Sequence, residues 1–183
     1  MDKGFFQISA DFDLKTKPDW LAGFRLKYDL PYDYHITLKT TTDFKMSDLE
    51  NLKNDLQKIA GQQKTLTVAF DELFIAPAKS GWCIMIKSKK NQELFALQKE
   101  ISEIFSKYGQ HTNSEREEHE KSFQPHITIA RHLTSEQLEL AKNEIKNDLH
   151  CEAVINSLTL TIAEKDVFEE WSQPNNRIVY KFN

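Results

Sequence analysis

The sequence predicts an α+β fold with two antiparallel-rich sheets, helices on their outer faces and a central groove between two pseudo-twofold lobes. Three observations support this prediction. The pattern His-Ile-Thr-apolar occurs twice, about half a chain apart, each copy precedes a capped amphipathic helix, and β-like sequence follows each helix. Such lobes would place the two copies on either side of one groove. We therefore expect residues 1–183 to form a single domain of two intertwined lobes.

Strands and helices alternate in the prediction for the first third of the chain. Alternating and β-branched residues favour strands over 5–10 and 34–40, whereas apolar residues at helical spacing favour a short helix over 19–28. Residues 30–33 predict a turn before the second strand. A second helix begins at Ser47-Asp48-Leu49-Glu50, which fits a capping box, and it ends near Gly61.

The middle of the chain predicts a hairpin, a helix and a loop. Residues 65–76 and 82–87 form the hairpin, and Asn91 caps a helix with a regular apolar face that stops at Gly109. Residues 111–121 are polar throughout, so we predict an exposed loop there and assign it no chemistry.

The last third repeats the earlier order of elements. A strand is predicted over 123–130, and Thr134-Ser135-Glu136-Gln137 fits a second capping box that opens a helix. The segments 153–163 and 177–182 predict the final strands.

Composition favours a soluble, cytoplasmic, monomeric protein that acts on a small anionic ligand. The chain is 39% apolar and 28% charged, and no run of about eighteen apolar residues predicts a membrane span. Cys83 and Cys151 match neither a metal pattern nor a disulfide framework, so we expect reduced thiols. The net charge of -4 argues against a global positive field for long nucleic acid and favours an RNA end or a small phosphate ester.

The two repeated segments carry the predicted chemistry. Side chains alternate along a strand, so His35 and Thr37 project from one face while Ile36 and Leu38 project from the other. His126 and Thr128 repeat this arrangement. Each pair therefore presents an imidazole next to a hydroxyl on a strand whose opposite face is apolar.

Phosphodiester cleavage needs a base, an acid opposite it and donors to the non-bridging oxygens. Histidine suits both proton roles because its ordinary pKa is about 6.5, and the threonine hydroxyls can bind phosphate. We assign His35 as acid and His126 as base, and Thr37 and Thr128 as phosphate-binding residues. The scheme requires no metal and no cofactor.

Chance yields about 0.4 His-x-Thr triplets in such a chain, so one copy would carry no information. The alternative is that both histidines are merely half-buried strand residues.

The chain resembles the two-histidine phosphoesterase superfamily, and within it the RNA 2′,3′-cyclic phosphodiesterases, also called 2′-5′ RNA ligases. The resemblance rests on His35-Ile36-Thr37-Leu38 and on the segment Gln124-Pro125-His126-Ile127-Thr128-Ile129-Ala130-Arg131. It implies a bilobal fold over essentially the whole chain, two catalytic histidines, two phosphate-binding threonines and no cofactor. It also implies opening of a 2′,3′-cyclic phosphate to a 2′-phosphate, with reversible 2′-5′ ligation as a further activity.

The first motif departs from the pattern usual in that branch, because Lys39-Thr40-Thr41-Thr42 replaces an aromatic residue and a glycine. Relatives with these motifs act on 2′-5′ oligoadenylates, ADP-ribose cyclic phosphate or other small nucleotides, and these substrates stay open. A non-catalytic module that binds RNA ends is a further alternative.

Strand parity also assigns neighbouring residues. Lys39 is in phase with His35, so we expect it to face the groove and offset phosphate charge, whereas Arg131 is out of phase with His126 and should point behind the site. Tyr34 and Phe123 are candidates to contact the substrate by stacking on a base, although aromatic strand residues are more often core. Further stacking candidates are Tyr32, Phe44 and Trp82, and the histidines expected at the surface are His111, His119, His132 and His150.

Overall fold

Two antiparallel β-sheets form the centre of the computed structural model, which describes residues 3–28, 33–78, 80–88 and 91–183. The first sheet contains, in spatial order, β3 (Tyr34–Lys45), β1 (Lys3–Phe12), β8 (Ser157–Ala163) and β9 (Arg177–Lys181). The second contains β2 (Leu14–Thr16), β7 (Cys151–Ile155), β4 (Leu66–Ala78), β5 (Gly81–Ser88) and β6 (His126–Leu133). The strands that carry the two His-Ile-Thr segments, β3 and β6, are thus edge strands of different sheets.

These two edge strands contact each other where the sheets meet. Each comes directly after one helix and directly before another along the chain. The helices are α1 (Asp19–Lys27), α2 (Leu49–Gln62), α3 (Gln92–Phe105), α4 (Ser114–Lys121), α5 (Ser135–Glu144) and α6 (Phe168–Trp171). Helices α2 and α3 pack on the first sheet, whereas α1 and α5 pack on the second. The predicted fold class is therefore confirmed.

Most predicted elements occur at or close to their predicted bounds, and two of the predicted caps form. The Asn91 side chain accepts a hydrogen bond from Leu94 N, and Thr134 and Gln137 form the full capping box. The box predicted at Ser47 is wrong, because residues 46–48 form a 3-10 turn and α2 begins only after it, without a side-chain cap. The predicted turn over 30–33 lies outside the described residues apart from Asp33.

The prediction of an exposed loop over 111–121 is also wrong, because residues 114–121 form α4. The Asn113 side chain caps this helix by accepting from the backbone N–H of Arg116 at 2.9 Å. Acidic residues lie in its first turn and basic residues in its last, which complements the helix dipole. The helix is charged on every face, and this is why apolar periodicity did not reveal it.

Two further expectations concern the thiols and the membrane. Cys83 and Cys151 are free thiols, as predicted, and burial raises the pKa of Cys151 to about 11. Among the described residues, no helix is both long enough and apolar enough to cross a bilayer.

Candidate active site

Both His-Ile-Thr segments show the predicted alternation of burial. His35, Thr37, His126 and Thr128 are half-buried on β3 and β6. Their apolar neighbours are at most 1% exposed; these are Ile36, Leu38, Ile127 and Ile129. The apolar side chains anchor each strand in the core and leave its imidazole and hydroxyl at the surface.

The two histidine rings are held in the same way. Nδ1 of His35 lies 3.2 Å from the carbonyl oxygen of Asp33, and Nδ1 of His126 lies 2.8 Å from the carbonyl oxygen of Gln124. A carbonyl oxygen only accepts, so Nδ1 donates in both cases. Nε2 is therefore the nitrogen that remains for proton transfer in each ring. The acceptor is two residues before the histidine in both strands, so one local geometry orients both rings.

The environment of His126 favours its neutral form. Burial lowers the pKa of His126, the Gln124 carbonyl opposes this change, and the positive charges of His119, His35 and Lys87 lower the pKa further. His35 and His126 lie on β3 and β6, the two edge strands that contact each other. A histidine whose pKa lies below 6.5 is mostly neutral throughout the neutral pH range, and it can therefore accept a proton there.

Two adjoining cavities form the groove beside β3. The first has a volume of about 250 Å³ and is lined in part by His35. The second has a volume of about 360 Å³ and is lined in part by Thr37 and His119, whose ring centroid lies 5.8 Å from that of His126. The residues that line both cavities are Gln7, Thr41 and Arg116. The cavities are thus lined by His35 and Thr37 of β3 and by His119 of α4, whereas neither His126 nor Thr128 lines them; His126 is adjacent through its ring contact with His119.

Thr37 is oriented by a neighbour that the sequence did not single out. Nε2 of Gln7 on β1 donates to Oγ1 of Thr37 at 3.3 Å. A hydroxyl that accepts one hydrogen bond keeps its own proton to donate, so Thr37 can donate to an anion in the groove.

Charged side chains of both signs line the first cavity, and its arginines outnumber the carboxylates of Asp11 and Asp33. Arg116, Arg131 and Arg177 all line this cavity. Arg177 pairs with Asp11 at 2.6 Å, and Arg116 pairs with Asp166 at 2.6 Å. These ion pairs fix the positions of the two guanidinium groups in the cavity wall.

The expectation that Lys39 faces the groove is wrong. Lys39 is 1% exposed, and its Nζ lies 2.7 Å from Oε1 of Glu120, which is 7% exposed. The pairing register between β1 and β3 shifts twice, between Phe6 and Ser9, so β3 contains bulges beyond Thr37. A bulge reverses the parity of the residues that follow it, which turns Lys39 toward the interior.

The same cause corrects the interpretation of Arg131. The register between β5 and β6 shifts between Thr128 and Ala130, so one extra residue lies after Thr128. Arg131 thereby returns to the face of His126 and Thr128, and it lines the first cavity together with His35.

The aromatic candidates Tyr34 and Phe123 pack elsewhere. Phe123 is 8% exposed and packs edge-on against Phe95, with ring centroids 5.3 Å apart, so the prediction that it stacks on a base is wrong. Tyr34 packs against the core, and the guanidinium of Arg25 lies 3.9 Å from its ring centroid. Phe44 is likewise buried and Trp82 packs on the core, whereas Tyr32 lies outside the described residues.

Two groove residues escaped the sequence-based prediction. His119 is exposed, as expected, but the expectation did not include the contact that α4 gives it with the His126 ring. Trp171 lines the first cavity, and its Nε1 donates to Oδ1 of Asp166 at 3.1 Å. The Asn113 cap and the order of charges along α4 are the signals that could have located His119; we find no comparable signal for Trp171. Within the described ranges, no three His, Cys, Asp or Glu side chains cluster as a metal site would require.

Comparisons with known proteins agree with this geometry. Predicted phosphoesterases from Bacillus mycoides (strain KBAB4) and Bacillus cereus (strain G9842) are each 31% identical over 127 residues, which is 67% of this chain and 67% of theirs. The crystal structure of E. coli LigT complexed with 3′-AMP has a similar fold, with a TM-score of 0.55 at 13% identity over 99% of this chain and 96% of that chain. LigT complexed with NADP+ gives a TM-score of 0.53 at 14% identity, over 100% and 96%. A family model described as the 2′-5′ RNA ligase superfamily matches residues 24–167. The chain therefore belongs to the 2′-5′ RNA ligase superfamily.

Proposed function

We propose that the chain is a phosphodiesterase that opens the 2′,3′-cyclic phosphate of an RNA end or a nucleotide to a 2′-phosphate. The matched orientation of two histidines on opposing edge strands is the observation that carries this proposal, because each ring points Nε2 away from an identical carbonyl anchor. The relatives described as predicted phosphoesterases support the general activity. The complexes of LigT with 3′-AMP and with NADP+ support a nucleotide as ligand.

In the proposed reaction, Nε2 of His126 removes a proton from water while the water oxygen attacks phosphorus. The bond between phosphorus and the ribose 3′ oxygen breaks, and Nε2 of His35 donates its proton to that oxygen. The products are a 2′-phosphate and a free 3′ hydroxyl. The lowered pKa of His126 supports its assignment as base, because a base must be neutral when substrate binds.

The threonines and the cavity beside His35 are assigned to binding. We infer that Thr37 and Thr128 donate to the non-bridging phosphate oxygens, where negative charge increases as water attacks. The ribose carries the leaving oxygen, so it must lie on the side of the acid, His35. The first cavity is on this side, and its volume of about 250 Å³ and its three arginines suit a nucleoside whose next phosphate contacts one of these arginines.

A substrate panel tests the proposal. It contains a 2′,3′-cyclic nucleotide, an RNA with a cyclic phosphate end, 2′-5′ oligoadenylate and ADP-ribose cyclic phosphate. We expect cyclic phosphates to yield 2′-phosphates in the presence of EDTA, and a 5′-hydroxyl RNA to replace water in a 2′-5′ ligation. Exclusive formation of 3′-phosphates, or loss of activity in EDTA that a divalent metal restores, would contradict the mechanism. Binding of these ligands without turnover by any of them would favour a non-catalytic module.

A further inference from the structure

Helix α4 reaches the active site through an unusual attachment. Among the residues of α4, all of which the structure describes, only Glu120 is buried. An eight-residue helix without a buried apolar side chain gains little from hydrophobic packing. Its position on β3 therefore depends on polar contacts. These are the ion pair of Arg116 with Asp166, the hydrogen bond from Oγ1 of Thr40 to the Arg116 carbonyl oxygen at 3.1 Å and, as the buried contribution, the contacts of the Glu120 carboxylate.

The Glu120 carboxylate accepts hydrogen bonds from three directions. Oε1 accepts from Nζ of Lys39 at 2.7 Å and from Oγ of Ser102 at 2.5 Å. Oε2 accepts from N and Oγ1 of Thr40 at 3.2 and 3.3 Å, and it lies 2.9 Å from Nε2 of His111. Burial by itself would raise the pKa of Glu120, but these hydrogen bonds outweigh burial and lower it. The carboxylate is thus charged at neutral pH and connects α4 to β3, α3 and the segment before α4.

The residue next to Glu120 is the third histidine of the groove. The His119 ring meets the His126 ring edge-on, with an interplanar angle of 75°. His119 also lines the second cavity together with Thr37 and Arg116. The ring centroids of His119 and His126 are 5.8 Å apart, so a shift of α4 by a few ångströms would break this contact.

We propose that His119 is a positioning residue of the active site, which acts on the His126 imidazole and is held there by the buried Glu120 carboxylate. The contact packs the two rings in a T-shaped pair, and each protonated ring opposes protonation of the other. The ionisable groups that face His126 are His119 on α4, His35 on β3 and Lys87 on β5, all of which disfavour its charged form. Although His119 is exposed overall, partial desolvation lowers its pKa, and Glu120 opposes that change.

This inference rests on the proposed role of His126 as base, but its test does not require turnover. The histidine ring signals of the intact protein, labelled with ¹⁵N, are followed by NMR from pH 4 to pH 8. His119→Phe keeps an aromatic ring beside His126 and removes its charge, so we expect His126 to titrate at higher pH. An unchanged His126 titration in H119F would overturn the proposal.

Glu120→Gln tests the attachment of α4, and Glu117→Gln is the matched control on the same helix. Glu117 forms an exposed pair with Lys121, so E117Q should alter neither the His126 titration nor amide hydrogen exchange in α4. E120Q should accelerate exchange in α4 and move the His126 titration in the same direction as H119F. Ser102→Ala, which removes one neutral donor, replaces E120Q if that variant does not fold. Exchange in α4 at the wild-type rate would show that Glu120 does not hold the helix.

If none of the panel substrates is cleaved but the His126 titration moves as described, the proposed function fails while this inference stands. If substrates are cleaved and H119F leaves both the titration and the acidic limb of kcat/KM in place, the proposed function stands and this inference fails.

Discussion

Replacement of Lys39 by methionine tests whether a buried ion pair, rather than a groove cation, occupies this position. The Lys39 and Glu120 side chains are 1% and 5% exposed, and their charged atoms lie 2.7 Å apart. Methionine fills a similar volume and removes the ammonium group. The carboxylate of Glu120 would then be buried without its cationic partner, which is costly at low exposure.

The surroundings of Glu120 determine how much the free energy of unfolding should fall in K39M. Removal of one partner from a buried pair costs about 3–5 kcal/mol. The donors from Ser102, Thr40 and His111 remain, so we expect the lower end of this range. A loss of that size leaves a protein of typical stability folded, since native domains have a free energy of unfolding of about 5–15 kcal/mol.

Urea denaturation at pH 7 measures the change, provided that the slope of the transition stays constant. Lys121→Met is the matched control, because the Lys121 and Glu117 side chains are 66% and 48% exposed, and such pairs contribute about 0–1 kcal/mol. Glu120→Gln in the K39M background should recover part of the loss, since it removes the unpaired charge.

The pH dependence gives a second check on K39M. Loss of Lys39 removes one hydrogen bond and the positive charge that lower the pKa of Glu120, so we expect burial to raise this pKa above that of the unfolded chain. The folded state then binds the proton more tightly. The free energy of unfolding of K39M should therefore fall, relative to wild type, as the pH rises through the raised pKa. The reasoning would be refuted if K39M lost no more free energy of unfolding than K121M and showed no such pH dependence.

Three further predictions concern the site. Phe123→Ala should lower the free energy of unfolding by about 3–5 kcal/mol and leave KM unchanged in the remaining folded enzyme, because the ring packs on Phe95 rather than on substrate; a KM effect without loss of stability would contradict this. The acidic limb of kcat/KM should lie below pH 6.5, since the pKa of His126 is lowered and the base must be neutral; a limb above pH 7 would exclude His126 as that base. Thr37→Val and Thr128→Val should each reduce kcat/KM by about 10- to 100-fold through loss of one hydrogen bond to a charged oxygen, with wild-type denaturation curves as the control.

Local patterns in the sequence predicted most of the fold and the strand faces that carry the candidate site residues. Apolar alternation on β3 and β6 buries Ile36 and Ile127 and thereby fixes the side from which His35 and His126 project. The cap at Asn91 and the capping box at Thr134 are short-range hydrogen bonds, so they could be predicted without knowledge of the rest of the chain.

The errors arose where a partner strand or a distant carboxylate decides the outcome. Lys39 and Arg131 both follow bulges, which exist only relative to β1 and β5, and parity counted along one strand cannot detect them. Helix α4 resembles a solvated segment because its single buried residue is Glu120, a type that is usually exposed. The role of Glu120 can be seen only when its donors on Lys39 and Ser102 are known. The position of His119, the residue before it, depends on the same contacts.

Hydrolysis of a 2′,3′-cyclic nucleotide by single histidine variants tests the central claim most directly. His35→Ala and His126→Ala are compared with wild type and with His150→Ala, which replaces an exposed histidine on a loop after α5. Rates are measured at pH 7 in EDTA, with circular dichroism to confirm the fold of each variant. We predict that H35A and H126A each lose at least about 100-fold in kcat while H150A turns over like wild type. Turnover near the wild-type rate in either H35A or H126A would contradict the assignment of acid and base to these two histidines.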